Sequence, residues 1–126
     1  MRIGELGRRA GVSTRALRHY EELGLLPARR RANGYRDYDE RDLRVVAEIR
    51  SLVELGFALE ETRPFVECLR AGHATGSSCP DSRAVQRRKV AEVDEWLARL
   101  QAVRDQLAAQ LGEPPDPRCA ITSDVT

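Results

Sequence analysis

Residues 12–27 restrict what this chain can fold into more than any other stretch. They read Val-Ser-Thr-Arg-Ala-Leu-Arg-His-Tyr-Glu-Glu-Leu-Gly-Leu-Leu-Pro. Wound as a helix, Ala16, Leu17, Tyr20 and Leu23 fall on one side, the spacing of an apolar stripe. Arg15, Arg18 and His19 fall on the other. Ser13 is placed to cap the helix by accepting from a free N–H of the first turn. Gly24 is placed to end it in a left-handed conformation, and Pro27 stops any continuation. Before this stretch, Ile3, Leu6 and Ala10 mark the apolar side of a first short helix that Gly11 ends, with Val12 filling the turn. Two short helices about a glycine turn, the second with a packed back and an arginine front, form a helix-turn-helix pattern suited to the DNA major groove.

Charge distribution agrees with that reading. The net charge is only +1, but residues 1–36 carry nine Arg against Glu5, Glu21 and Glu22. Residues 1–50 balance to +4 and the remainder to −3. A basic head on a near-neutral chain is the electrostatic footprint of a nucleic-acid binder. Lys89 is the one lysine among 21 basic residues. Arginine suits bidentate contacts to phosphate and guanine.

Residues 28–38 predict a β-hairpin turning at Asn33-Gly34, where both residues tolerate the positive φ of a type I′ turn. Arg29, Arg30, Arg31 and Arg36 flank that turn, and Tyr35 favours a strand. A hairpin so charged, directly after a helix-turn-helix, reads as a wing along the DNA backbone. Asp39 is expected to cap a third helix that buries Leu43, Val46, Ile49, Leu52 and Val53 and ends at Gly56. A shorter helix follows, to about Leu69. Pro64 requires it to start late or bend, because proline is tolerated only in a first turn.

The predicted domains are residues 1–70 (DNA binding), 71–80 (a glycine-containing linker), 81–111 (one long helix) and 112–126 (a proline-rich tail that is a candidate effector loop). In the long helix, Val90, Val93, Leu97, Leu100, Leu107 and Leu111 follow 3,4 spacing, interrupted by Arg104. A polar break in a heptad seam can fix register. A helix of roughly 40 Å cannot bury this seam against a small domain alone, so a homodimer is expected. The fold class is therefore mainly α. No apolar run approaches a membrane span and there is no signal-peptide pattern, so a cytoplasmic protein with no membrane partner is expected. Two distant histidines and no phosphate-binding glycine loop give no catalytic constellation, and an enzyme is not expected.

Arg18-His19-Tyr20-Glu21-Glu22-Leu23-Gly24-Leu25-Leu26, then Asn33-Gly34-Tyr35-Arg36-Asp37-Tyr38, then Leu55-Gly56-Phe57 and the long heptad helix resemble the MerR family of bacterial transcription regulators, over about residues 2–111. The resemblance implies a winged helix-turn-helix domain followed by a long dimerisation helix in an antiparallel coiled coil. It implies double-stranded promoter DNA with a palindromic operator as one partner and RNA polymerase as another. It also implies activation by bending and untwisting DNA to realign promoter elements, at a deformation cost of a few kcal/mol, about 1–6. Arg18 falls on the family's recognition-helix arginine, Tyr20 on its neighbouring aromatic, and Tyr35 and Arg36 on wing residues that grip phosphates. Thr14, Arg15 and His19 share the exposed helix face, and Asn33 and Gly34 form the wing turn.

Three cysteines bear on what such a regulator senses. In a reducing compartment they are not expected to form structural disulfides. Cys79 precedes the long helix, whose N-terminus, with Arg83, Arg87 and Arg88, is expected to favour its thiolate. By resemblance, Cys79 matches the cysteine heading the dimer helix in mercury- and zinc-sensing members, and Cys119 the second cysteine of the following metal loop. The first loop cysteine is missing, with Glu113-Pro114-Pro115-Asp116 in its place. Cys68, His73 and Cys79 form another grouping around the linker, able to hold one metal ion or to close a disulfide. No cofactor is demanded by any motif; a metal ion is the one these residues would hold. The leading expectation is a thiol-reactive or oxidative signal sensed by Cys68, Cys79 and Cys119. The alternatives are a metal ion at Cys79 and Cys119 or at Cys68, His73 and Cys79, an organic ligand near Trp96, and an effector-independent architectural repressor.

Overall fold

The computed structural model describes residues 1–27 and 37–119. The expected wing turn and grip residues, Asn33, Gly34, Tyr35 and Arg36, lie outside the described residues. Among the described residues five α-helices follow one another: α1 (Ile3–Ala10), α2 (Thr14–Glu22), α3 (Glu40–Glu54), α4 (Arg63–Arg70) and α5 (Pro80–Leu111). A 3-10 turn, Leu59–Thr62, leads into α4. No strand occurs among the described residues.

Local chemistry accounts for the boundaries. Ser13 Oγ accepts from the Ala16 N–H at 3.1 Å, capping α2. The Asp39 side chain accepts from the N–H groups of Arg41 and Asp42, while Asp42 accepts from the Asp39 N–H, a reciprocal capping box for α3. Gly11 ends α1 at φ 70°. Its bare Cα also leaves room for the guanidinium of Arg50, which donates to the Ala10 carbonyl at 3.0 Å. Pro64 sits in the first turn of α4, after the 3-10 turn, so the helix starts late as its sequence requires.

The chain divides into two compact units, Met1–Lys89 and Val90–Thr126. The first has a core built from Leu6, Leu17, Tyr20, Leu25, Leu26, Tyr38, Val45, Val46, Ile49 and Val66. Leu6, Leu17, Val46 and Ile49 are fully buried. Each such aliphatic side chain contributes roughly 1.5–3 kcal/mol relative to exposure. On α3 the buried stripe takes in Val45, whereas Val53 is 43% exposed. The helical phase places Val45 beside Ile49 and Leu52, and turns Val53 outward.

A satellite core joins Leu52, Phe57, Phe65 and Val85, with the two phenylalanine rings edge to face at 5.5 Å. Val85 comes from the start of α5, where Ser82, Val85 and Lys89 are buried at 3,4 spacing. The first three turns of α5 thus belong to the first unit. Arg63 and Arg70 on α4 donate to the Leu23 and Leu25 carbonyls, tying α4 to the end of α2.

In the second unit α5 continues through residues 90–111 as an exposed helix. Val90, Leu97, Leu100, Val103, Leu107 and Leu111 are all more than half exposed, and Trp96 is 42% exposed. The Gln101 amide and the Arg104 guanidinium both reach the Asp105 carboxylate on this helix. Described helices include none long and apolar enough to cross a membrane.

Candidate nucleic-acid interface and candidate metal centre

Helix α2 presents its two faces as its sequence requires. Leu17 and Tyr20 are buried, while Thr14, Arg15, Arg18 and His19 are exposed. Ser13, Arg15, Ala16, Arg18, His19 and Glu22 line an open concavity of about 680 Å³. His19 Nδ1 lies 3.6 Å from Glu22 Oε2, so the histidine already has a partner on its own helix. Tyr20 is 7% exposed and packs with the core, and that burial raises its phenol pKa. Its ring supports the helix from behind. Arg15 and Arg18 are the exposed cations of this face, and Thr14 lies at the helix start where N–H groups favour phosphate.

The second site gathers at the end of α4 and the head of α5. Cys68 is buried near the C-terminus of α4, His73 is exposed on the loop that follows, and Cys79 is half-buried just before α5. Their ligand atoms all lie within 4.8 Å of one another. Two thiols and an imidazole in that space can close on one soft or borderline cation. Cys119 is exposed, falls in the second unit and is not a member of this group.

Hydrogen bonds shape the loop around these residues. Arg44 on α3 donates to the Ala74 carbonyl at 3.1 Å. Cys68 Sγ donates to the Thr75 carbonyl at 3.4 Å. Ser82 Oγ donates to the Cys79 carbonyl at 3.0 Å and is fully buried. Gly76 is buried against Glu48; a Cβ there would stand 2.7 Å from Glu48 Oε1 and 3.1 Å from the Phe65 carbonyl oxygen.

The thiolate expected at Cys79 is not what the geometry favours. Its thiol is pushed up to about 11, first by hydrogen bonding with Cys68, then by burial, then by the negative charges of Cys68 and Asp81. Arg83, Arg87 and Arg88 are exposed on the helix, whereas the sulfur sits in the Cys68–His73 group. The neighbouring thiol thus outweighs the helix N-terminus. A bound cation would reverse the balance, because a coordinating thiol is deprotonated by the metal's own charge.

Three residues of consequence had no strong signature in the sequence. Glu48 is half-buried, makes no hydrogen bond or ion pair among the described residues, and has its carboxyl pKa raised by burial. Lys89 is 8% exposed; its Nζ donates to the Gly56 carbonyl and to Glu61, each at 3.3 Å, and lies 5.2 Å from the centre of the Phe57 ring. Being the only lysine was its one mark. Val103 adds to the exposed apolar side of α5 beside the polar break at Arg104.

Comparison with known proteins follows the same lines. Residues 1–67 match the MerR HTH family regulatory protein model, and residues 43–110 match the MerR DNA-binding model. The HTH-type transcriptional regulator CueR of Salmonella typhi is 33% identical over 116 residues, spanning 91% of this chain and 82% of the relative. The heavy metal-dependent transcription regulator 2 of Rhizobium meliloti is 30% identical over 129 residues, spanning 99% of this chain and 86% of the relative. Among solved structures, the transcription regulator PbrR691 of Ralstonia metallidurans CH34 in complex with lead(II) superposes with a TM-score of 0.70 at 30% identity, covering 98% of this chain and 91% of that one. The helix-turn-helix with its arginine face, the helices behind it and the long α5 therefore identify the chain as a member of the MerR family, a DNA-binding transcription regulator and not an enzyme.

Proposed function

We propose that this protein is a metal-responsive transcription regulator that holds a soft or borderline cation at Cys68, His73 and Cys79. The observation that carries the reading is the 4.8 Å grouping of two sulfurs and an imidazole from three successive segments of the chain. The ligand types suit Zn²⁺ and its softer neighbours. Support also comes from relatives described as heavy metal-dependent or solved with lead(II). In this reading the homodimer forms through the exposed seam of α5, binds a palindromic promoter operator through α2, and controls RNA polymerase by distorting the DNA between promoter elements.

The residues divide the work. Arg15 and Arg18 meet the DNA, with Thr14 at the helix start. Cys68 ties the metal to α4 and Cys79 ties it to the head of α5. His73 supplies a neutral nitrogen donor from the loop between them. When bound, the metal supplies a cross-link among these segments. Thiol oxidation is the second reading, favoured by the Cys68 and Cys79 sulfurs lying within 4.8 Å of each other. Losing two protons and two electrons to an oxidant, the pair would close a disulfide.

A promoter reporter tests both. Output should respond to added divalent or soft metal in the wild type, and lose that response in Cys68→Ser and Cys79→Ser while operator binding persists. A response to peroxide that survives metal chelation, with none to metal, would overturn the metal reading in favour of the oxidative one.

A further inference from the structure

Four-coordinate metal sites need one ligand more than the Cys68–His73–Cys79 group supplies. The loop that carries His73 and Cys79 lies along one side of α3, and its contacts run in order. Arg44 reaches the Ala74 carbonyl, Cys68 reaches the Thr75 carbonyl, and Glu48 abuts Gly76. Arg44 and Glu48 are one helical turn apart on α3, so they share a face. Arg44 donates to the loop backbone, whereas Glu48 only abuts it. It is a half-buried carboxylate with no hydrogen bond or ion pair among the described residues, held against a buried glycine that any larger residue would crowd. Half-burial raises the cost of a charge that has no such partner, and a cation would offset it.

We propose that Glu48 is the fourth ligand of the cation held by Cys68, His73 and Cys79, completing a Cys₂-His-carboxylate set that takes a divalent, zinc-like ion. The proposal rests on the reading of those three residues as a metal site. Glu48 lies outside their 4.8 Å group and must move to join it, and no hydrogen bond or ion pair among the described residues holds its side chain back. The fourth ligand also selects the ion. A carboxylate oxygen is a good ligand for Zn²⁺ and a poor one for the soft Cu(I), which two thiolates satisfy. Recruitment would join α3 to α4, the loop and the head of α5 through one ion, placing α3 under the control of the metal.

The test uses the full-length protein with Co²⁺, Zn²⁺ and Cu(I) as probes. Glu48→Gln keeps the shape and removes the anionic oxygen. It should weaken Zn²⁺ binding by at least about tenfold, shift the visible bands of the Co²⁺ complex, and leave Cu(I) binding unchanged. Glu67→Gln removes a carboxylate exposed on α4 next to Cys68, and should change none of these. A Glu48→Gln protein with wild-type Co²⁺ bands and Zn²⁺ affinity, beside a Cys68→Ser protein that has lost both, would overturn Glu48 as a ligand and leave the metal site standing. Equal Zn²⁺ affinity in wild type and Cys68→Ser would overturn both. Equal losses of Zn²⁺ and Cu(I) in Glu48→Gln would assign the residue to the fold instead.

Discussion

Leu17 and Arg18 are neighbours with opposite fates: the first is fully buried, and the second stands exposed on the face proposed to meet DNA. Arg18→Ala should therefore leave the fold intact and weaken operator binding, by about 1–3 kcal/mol if it pairs with a guanine edge, with preference relaxed at that base. Quantitative footprinting on the operator and on single-base variants checks this. Arg15→Ala, if Arg15 contacts phosphate, should weaken binding more evenly and make its salt dependence shallower. Gly11 argues differently. Its φ of 70° and the adjoining Arg50 guanidinium both resist a side chain, so Gly11→Ala should destabilise the fold by more than about 1 kcal/mol. Chemical denaturation measures that loss. Much at this scale was legible in the sequence: Ser13 and Asp39 announce themselves as caps because their oxygens satisfy free first-turn N–H groups. The protonation of the Cys79 thiol was not legible, because its cause is a sulfur eleven residues away that folding brings alongside.

At the scale of elements, α5 does two jobs along one helix. Its head packs into the first unit through Ser82, Val85 and Lys89, while residues from Val90 onward expose a line of large apolar side chains. Continuous apolar exposure of this kind marks an interaction surface. Light scattering should give dimers for the wild type and monomers for Leu97→Glu or Leu100→Glu. The 3-10 turn and α5 meet at Lys89 and Glu61. The Ala58 N–H donates to Glu61, and this bond, with help from Lys89, lowers the Glu61 pKa below its ordinary 4.5 despite partial burial. The sign follows from linkage. The contribution of Glu61 is present above the ordinary carboxylate pKa and is lost as pH falls through the lowered value. Glu61→Gln should therefore lose more stability near pH 6 than near pH 3, as thermal melts at the two pH values would reveal. Periodicity alone made α5 legible, and Pro64 made the late start of α4 legible. The turn-by-turn assignment of Val45 rather than Val53 to the core depended on the phase of α3 against its neighbours, which spacing alone does not fix.

Across the whole molecule, the proposed function is divided between a helix face that would address DNA and a cluster that would address an effector. The first was written locally, as a contiguous run of capped, two-faced helix. The cluster was half legible: Cys68, His73 and Cys79 lie within twelve residues of one another, and their convergence is a consequence of the loop turning back over α3. Glu48 lies twenty residues before Cys68, with nothing in its own stretch to set it apart from a surface glutamate. The expected pairing of Cys79 with Cys119 drew on the family pattern, whereas the three proposed ligands all lie in the first unit. The measurement that bears most directly on the metal reading is native mass spectrometry of the purified protein loaded with Zn²⁺, with thiols alkylated in parallel. One metal per chain is predicted, removable by chelator, with Cys68 and Cys79 protected from alkylation while bound and Cys119 still reactive. A protein that takes up no metal, or one in which Cys68→Ser binds it as the wild type does, would contradict the account.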